Sequence, residues 1–124
     1  MSQPFIDSNI VLYLLSGDAI KADRAEVLLE AGGVISVQVL NEVASVCQRK
    51  LKMSWEEIEM LLMAVKSACN TLPLTVASHE KAVEVARRFQ LSIYDANIVA
   101  SAILSGAGVL LSEDMQSGMN IESL

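Results

Sequence analysis

Short apolar runs alternate along this chain with longer stretches of helical period, the pattern of a mainly parallel α/β sheet. Residues 3–6 predict a first buried strand ending in Phe5-Ile6. A helix is expected from Ser8 or Asn9 to about Leu15, halted by Ser16-Gly17-Asp18, and a second over residues 19–31. Ala22, Ala25, Val27, Leu28 and Leu29 form the apolar stripe of that second helix, Gly32-Gly33 ends it, and Val34-Ile35 predict a second strand. Ser36 is placed to cap a long helix through Lys50. Met53 then bridges to another, opened by Ser54-Trp55-Glu56-Glu57 with the spacing of a capping box.

The stripe of that helix turns Ile58, Leu61, Leu62, Val65 and Cys69 inward. Residues 71–75 predict a third strand, which Pro73 shortens or confines to an edge. Ser78 opens a helix through Phe89. Ser92 or Tyr94 opens the next, which ends at Gly106 or Gly108 ahead of a fourth strand at residues 109–111. Beyond Asp114 the chain turns polar. No linker, repeat or low-complexity tract interrupts the pattern, so residues 1–124 are expected to form one domain.

Composition adds little to this and removes several options. Hydrophobic residues make up 52% of the chain and aromatics only 4%, so the core must be aliphatic. No apolar stretch approaches the roughly 18 residues that span a bilayer. The start Met1-Ser2-Gln3-Pro4 lacks a basic segment, which predicts a cytoplasmic protein without a signal peptide. Cys47 and Cys69, both within helical patterns, read as small buried hydrophobes of a reducing compartment. His79, the only histidine, stands at a polar helix start, so a nucleophilic constellation built on His has no support. The net charge of −6 is unfavourable for nucleic acid unless bound cations offset it.

Four acids stand where a carboxylate is out of place. Asp7 ends the apolar run Phe5-Ile6, and Glu42 interrupts the helical pattern Val37-Val39-Leu40-Val43-Ala44-Val46. Asp95 opens the apolar helix around Ile98-Val99-Ala100, and Asp114 closes Val109-Leu110-Leu111. An unpaired buried carboxylate is costly, and the basic residues lie elsewhere in sequence, so a metal is the natural counter-charge. Mg²⁺ and Mn²⁺ take oxygen ligands, some through water. Such ions activate water for attack on phosphorus without a protein nucleophile, which points to a divalent-metal nuclease. Asp7 and Asp114 both follow strands, so an open parallel sheet brings them to one rim.

The blocks Phe5-Ile6-Asp7-Ser8-Asn9, Ser36-Val37-Gln38-Val39-Leu40-Asn41-Glu42-Val43, Ser92-Ile93-Tyr94-Asp95-Ala96 and Leu111-Ser112-Glu113-Asp114-Met115, in this order, resemble the PIN domain, and specifically the VapC-type toxins of toxin–antitoxin modules. The resemblance spans almost the whole chain. It implies a three-layer α/β/α fold with a short, mainly parallel central sheet, and a Mg²⁺- or Mn²⁺-dependent endoribonuclease. Its acidic quartet falls on Asp7, Glu42, Asp95 and Asp114, with Asn9 and Ser112 orienting carboxylates and water. Glu113 competes with Asp114, but Ser112 and Asp114 share a face of an extended stretch while Glu113 points away. The family pattern also runs on into a further strand, which Met119-Asn120-Ile121-Glu122-Ser123-Leu124 does not announce, and it more often has an apolar residue at Asn97.

Arg49, Lys50 and Lys52 are the leading candidates to hold an RNA backbone, followed by Arg87-Arg88. Trp55 begins a helix that reads as a packing element, leaving no aromatic platform for bases. The resemblance further implies a cognate antitoxin, whose amphipathic helix would find a groove at residues 9–15 and 54–65, and a homodimer. Two other readings compete. One is a catalytically weak or inactive PIN-like module acting through protein contacts. The other, a phosphotransfer receiver or phosphohydrolase, wants an acid adjacent to or two positions beyond the strand-end Asp and a late Lys, and Asp7-Ser8-Asn9 with no Lys after Lys81 supplies neither.

Overall fold

A computed structural model describes residues 3–112 of the chain and the backbone of residues 119–120. Its elements are β1 (Phe5–Ile6), α1 (Ser8–Leu12) continued by a 3₁₀ turn (Tyr13–Leu15), α2 (Ala19–Glu30), β2 (Gly33–Ser36), α3 (Val37–Arg49) and α4 (Trp55–Ala68). They continue with β3 (Cys69–Leu72), α5 (Val76–Phe89), α6 (Ile93–Leu104), β4 (Val109–Leu111) and β5 (Met119–Asn120).

The strands form one sheet in the order β3-β2-β1-β4-β5. Four run parallel, with Phe5 opposite Val34 and Leu110, while β5 runs antiparallel to β4. The fifth strand corrects the expectation of a missing one: two residues pair through backbone alone, and so brief a strand leaves no apolar run to read. From β1 the chain steps outward to β2 and β3, then crosses back to place β4 on the other side of β1. Given the right-handed sense that parallel crossovers take, this order assigns α1 to α4 to one face and α5 and α6 to the other, the three-layer α/β/α arrangement expected.

Phe5, Ile6, Ile35 and Leu110 are fully buried at the centre of the sheet, with Val39, Val43, Ile58, Ile98 and Val99 packed on it from the helices. Gly33 is required between β1 and β2. A Cβ there would sit 2.6 Å from Ile6 Cδ1 and 3.0 Å from the Pro4 carbonyl.

Most boundaries agree with the sequence pattern, and the exceptions have physical reasons. Cys69 continues the inward stripe of α4, yet its backbone has already turned extended (φ −124°, ψ 151°) and it opens β3. β3 is an edge strand, as Pro73 required, but ends at Leu72 before the proline. Thr75, not Ser78, caps α5: Thr75 Oγ1 accepts from the Ser78 amide, and Ser78 Oγ accepts from the Thr75 amide. The Ser54 capping box forms as expected. Val27 faces solvent rather than the core, and so does Trp55, which is 57% exposed at the start of α4. Cys47 and Cys69 are free and buried, and burial pushes both thiols up. No helix among the described residues is long and apolar enough to cross a membrane.

Candidate functional site

The strand order reverses between β1 and β4, and the crevice beyond the carboxyl ends of such strands is where open α/β sheets place their sites. Asp7 follows β1 directly. Its amide donates to the Leu111 carbonyl of β4 (3.0 Å), which ties the two strand ends together. Asp7 is buried, with 3% of the residue exposed. Oδ1 accepts from the Ser8 amide (2.6 Å), capping α1, and Oδ2 accepts from Ser112 Oγ (2.7 Å) at the end of β4. Asn9 Nδ2 donates in turn to Ser112 Oγ (3.5 Å). Ser112 thus stands against the strand-end carboxylate, with Asn9 behind it.

Glu42 reaches this cluster from α3. Its Oε1 accepts from Ser8 Oγ (2.8 Å), which also lies 3.3 Å from Asp7 Oδ1, and its Oε2 accepts from Gln38 Nε2 (3.0 Å). Partial burial raises the Glu42 carboxyl above its ordinary pKa. The bonds from Gln38 and Ser8 oppose the rise, and the charges of Asp7 and Asp95 add to it. Asp7 and Asp95 therefore each lie within electrostatic reach of Glu42. Asp95 is held in the first turn of α6, where its amide donates to Ser92 Oγ (3.1 Å). Asp114 and its competitor Glu113 lie outside the described residues.

The donors are all oxygen, with hydroxyls and an amide orienting the carboxylates, a set suited to Mg²⁺ or Mn²⁺. Among the described residues no three acids approach closely enough to cage an ion by themselves. A site completed by water, as Mg²⁺ prefers, fits that looser grouping.

Sequence reasoning passed over Gln38 and read Ser8 only as a helix start. Gln38 and Glu42 stand four apart on a helix, the spacing at which side chains meet, and that was the available signal.

The basic candidates are exposed. Arg49 lies seven residues beyond Glu42 on α3, close to the same face and about 10 Å along the axis. Lys50 caps that helix, and Lys52 follows in a left-handed conformation (φ 53°). Arg87 and Arg88 occupy the last turn of α5, where cations complement the helix end, and Arg88 lies 5.0 Å from the Phe89 ring.

A cavity of about 270 Å³ opens between α1 and α2, with Leu111, whose carbonyl binds the Asp7 amide, in its lining. Ile10, Tyr13, Ala25 and Leu28 wall it, with Lys21 and Arg24 also lining it. Its walls come from α1 with the 3₁₀ turn and from α2; residues 54–65 do not line it.

The sequence matches the PIN domain family over residues 5–116. The chain belongs to the PIN domain family. No curated protein matches it. Among solved structures this PIN domain is similar to one in a toxin–antitoxin complex from Klebsiella pneumoniae, at 24% identity and a TM-score of 0.71, covering 92% of this chain and 88% of that one. It is also similar to VapC20 of Mycobacterium tuberculosis, described as a toxin that cleaves the sarcin-ricin loop (18% identity, TM-score 0.71, 89% and 90% covered). A third likeness is to VapBC2 from Rickettsia felis, bound to a DNA fragment from its promoter (20% identity, TM-score 0.63, 87% and 85% covered). At these identities the structures share the PIN fold.

Proposed function

We propose that this PIN domain, a single domain over residues 1–124, is a Mg²⁺- or Mn²⁺-dependent endoribonuclease and the toxin of a toxin–antitoxin pair. The observation that carries the reading is the buried Asp7 carboxylate at the β1–β4 switch point, with Glu42 and Asp95 near enough for their charges to couple. Asp7, Glu42, Asp95 and Asp114 would hold the metal, and Asn9 and Ser112 would orient the carboxylates. When bound, the ion supplies activation of the attacking water and stabilisation of charge at phosphorus. The chain's own residues fix the geometry: Ser8 and Ser112 hold the Asp7 carboxylate, and Ser8 also holds Glu42. Arg49, Lys50 and Lys52 continue from α3 toward the RNA backbone.

The neighbouring structures named as toxin–antitoxin complexes, and the one named as an RNA-cleaving toxin, support this assignment. An antitoxin helix would lay apolar side chains into the cavity between α1 and α2. A homodimer acting in the cytoplasm completes the proposal.

Incubating a labelled structured RNA pool with the purified protein tests it. Cleavage is expected with Mg²⁺ or Mn²⁺, and none with chelator or with Asp7→Asn. Equal cleavage by Asp7→Asn, or none by the wild type with either metal, would refute it.

A further inference from the structure

Among the described acids of the site, Glu42 alone has its backbone on the middle of a helix, away from any strand end or helix start. Its side chain has three rotatable bonds, and leaving them free would blur the position of the carboxylate. The structure removes that freedom through two donors from different elements. Gln38, one turn earlier on α3, donates to Oε2 at 3.0 Å, and Ser8, in the first turn of α1, donates to Oε1 at 2.8 Å. The Ser8 hydroxyl has one hydrogen, and the shorter contact assigns it to Glu42 rather than to Asp7 Oδ1 at 3.3 Å.

We propose that Gln38 is a positioning residue for the metal site, clamping Glu42 together with Ser8 so that its carboxylate faces the Asp7 side of the pocket. This rests on the metal-dependent nuclease reading. Each clamped oxygen keeps a lone pair for a cation or for water on a cation, because an ionised carboxylate accepts at about four sites. The clamp therefore orients the group without consuming it. An ordinary helix-face pair of Gln and Glu would have no second donor from another element. Here the Ser8 hydroxyl supplies one while the Ser8 amide donates to Asp7 Oδ1, so the setting of one carboxylate is tied to that of the other.

The test measures Mn²⁺ binding by calorimetry, without RNA, for wild type, Gln38→Met, Ser8→Ala and Ser8→Thr, and then RNA cleavage. Met preserves length and helix propensity but cannot donate, while Thr keeps the hydroxyl. Gln38→Met and Ser8→Ala are expected to lose about 10-fold or more in Mn²⁺ affinity, as removal of an orienting partner typically does. The kcat should fall while KM for RNA and the melting temperature of the metal-free protein hold, and Ser8→Thr should restore wild-type binding. In the metal-free protein the Gln38 side-chain amide should exchange slowly in NMR spectra, and Glu42→Ala should release it. Wild-type Mn²⁺ affinity and kcat in Gln38→Met would overturn the clamp, and so would a raised KM alone, which would make Gln38 an RNA contact. Failure of the wild type itself to bind Mn²⁺ would instead refute the nuclease reading, while the amide exchange would still report whether the bond to Glu42 exists.

Discussion

Asp7 does two things at once. Its carboxylate caps α1 and accepts the Ser112 hydroxyl, and it presents charge at the switch point. Asn can keep the cap through Oδ1 and turn its amide toward Ser112 Oγ, so Asp7→Asn should melt at or above the wild-type temperature in chelator while losing cleavage. Asp7→Ala should also lose the cap, at a cost of about 1 kcal/mol, and thermal melting of the pair separates the two roles. Glu42 gives a signed pH dependence. Its folded pKa is raised above 4.5, so just above that value the folded state holds more protons than the unfolded one. The group's contribution to stability is therefore present at low pH and falls as pH rises through the window. Glu42→Gln carries no such proton. In chelator its melting temperature should gain on the wild type as pH rises above 4.5; a constant difference would contradict the assignment.

Asp7, Glu42 and Asp95 stood out as single residues because each lies at the edge of or within an apolar pattern. Gln38 did not, because a glutamine on a helix is unremarkable until its neighbour across the turn proves to be a carboxylate that a second element also holds.

At the level of elements, α3 carries Gln38 and Glu42 in its first half and cations at its C-terminal end. Arg49→Ala should raise KM for RNA and leave kcat unchanged, and it should lower the salt slope of binding by about one unit if the guanidinium meets a phosphate. An unchanged slope would make Arg49 a helix-end cation only. Helix α6 is buried almost all round, and Ser101 Oγ within it has no hydrogen-bond partner among the described residues. Ser101→Ala should raise stability by roughly 1 kcal/mol, measured by denaturant melting, since a buried hydroxyl without a partner is a net cost.

Helices and strands were readable wherever periodicity ran long. The boundary of α4 with β3 was not, because Cys69 is apolar in both readings and only the backbone decides. The α2 wall of the cavity was equally hidden: Leu28 and Tyr13 lie in separate helical patterns, and nothing in either says that they face one another.

For the whole molecule, the crossing back from β3 to β4 matters most. It sets β4 beside β1, so that residues a hundred positions apart, Asp7 and Ser112, meet through one hydrogen bond. The order of blocks along the chain announced this arrangement, but the pairing that produces it belongs to the sheet. A net charge of −6 would oppose RNA unless the acidic pocket is neutralised on binding cations, and the account depends on that neutralisation.

Titration of the purified protein with Mn²⁺ by calorimetry, beside Asp7→Asn under the same conditions, is the most direct test. The account predicts binding by the wild type that strengthens as pH rises through the Glu42 window, because the acid must release its proton, and that is lost in Asp7→Asn. Identical isotherms for the two proteins would contradict it.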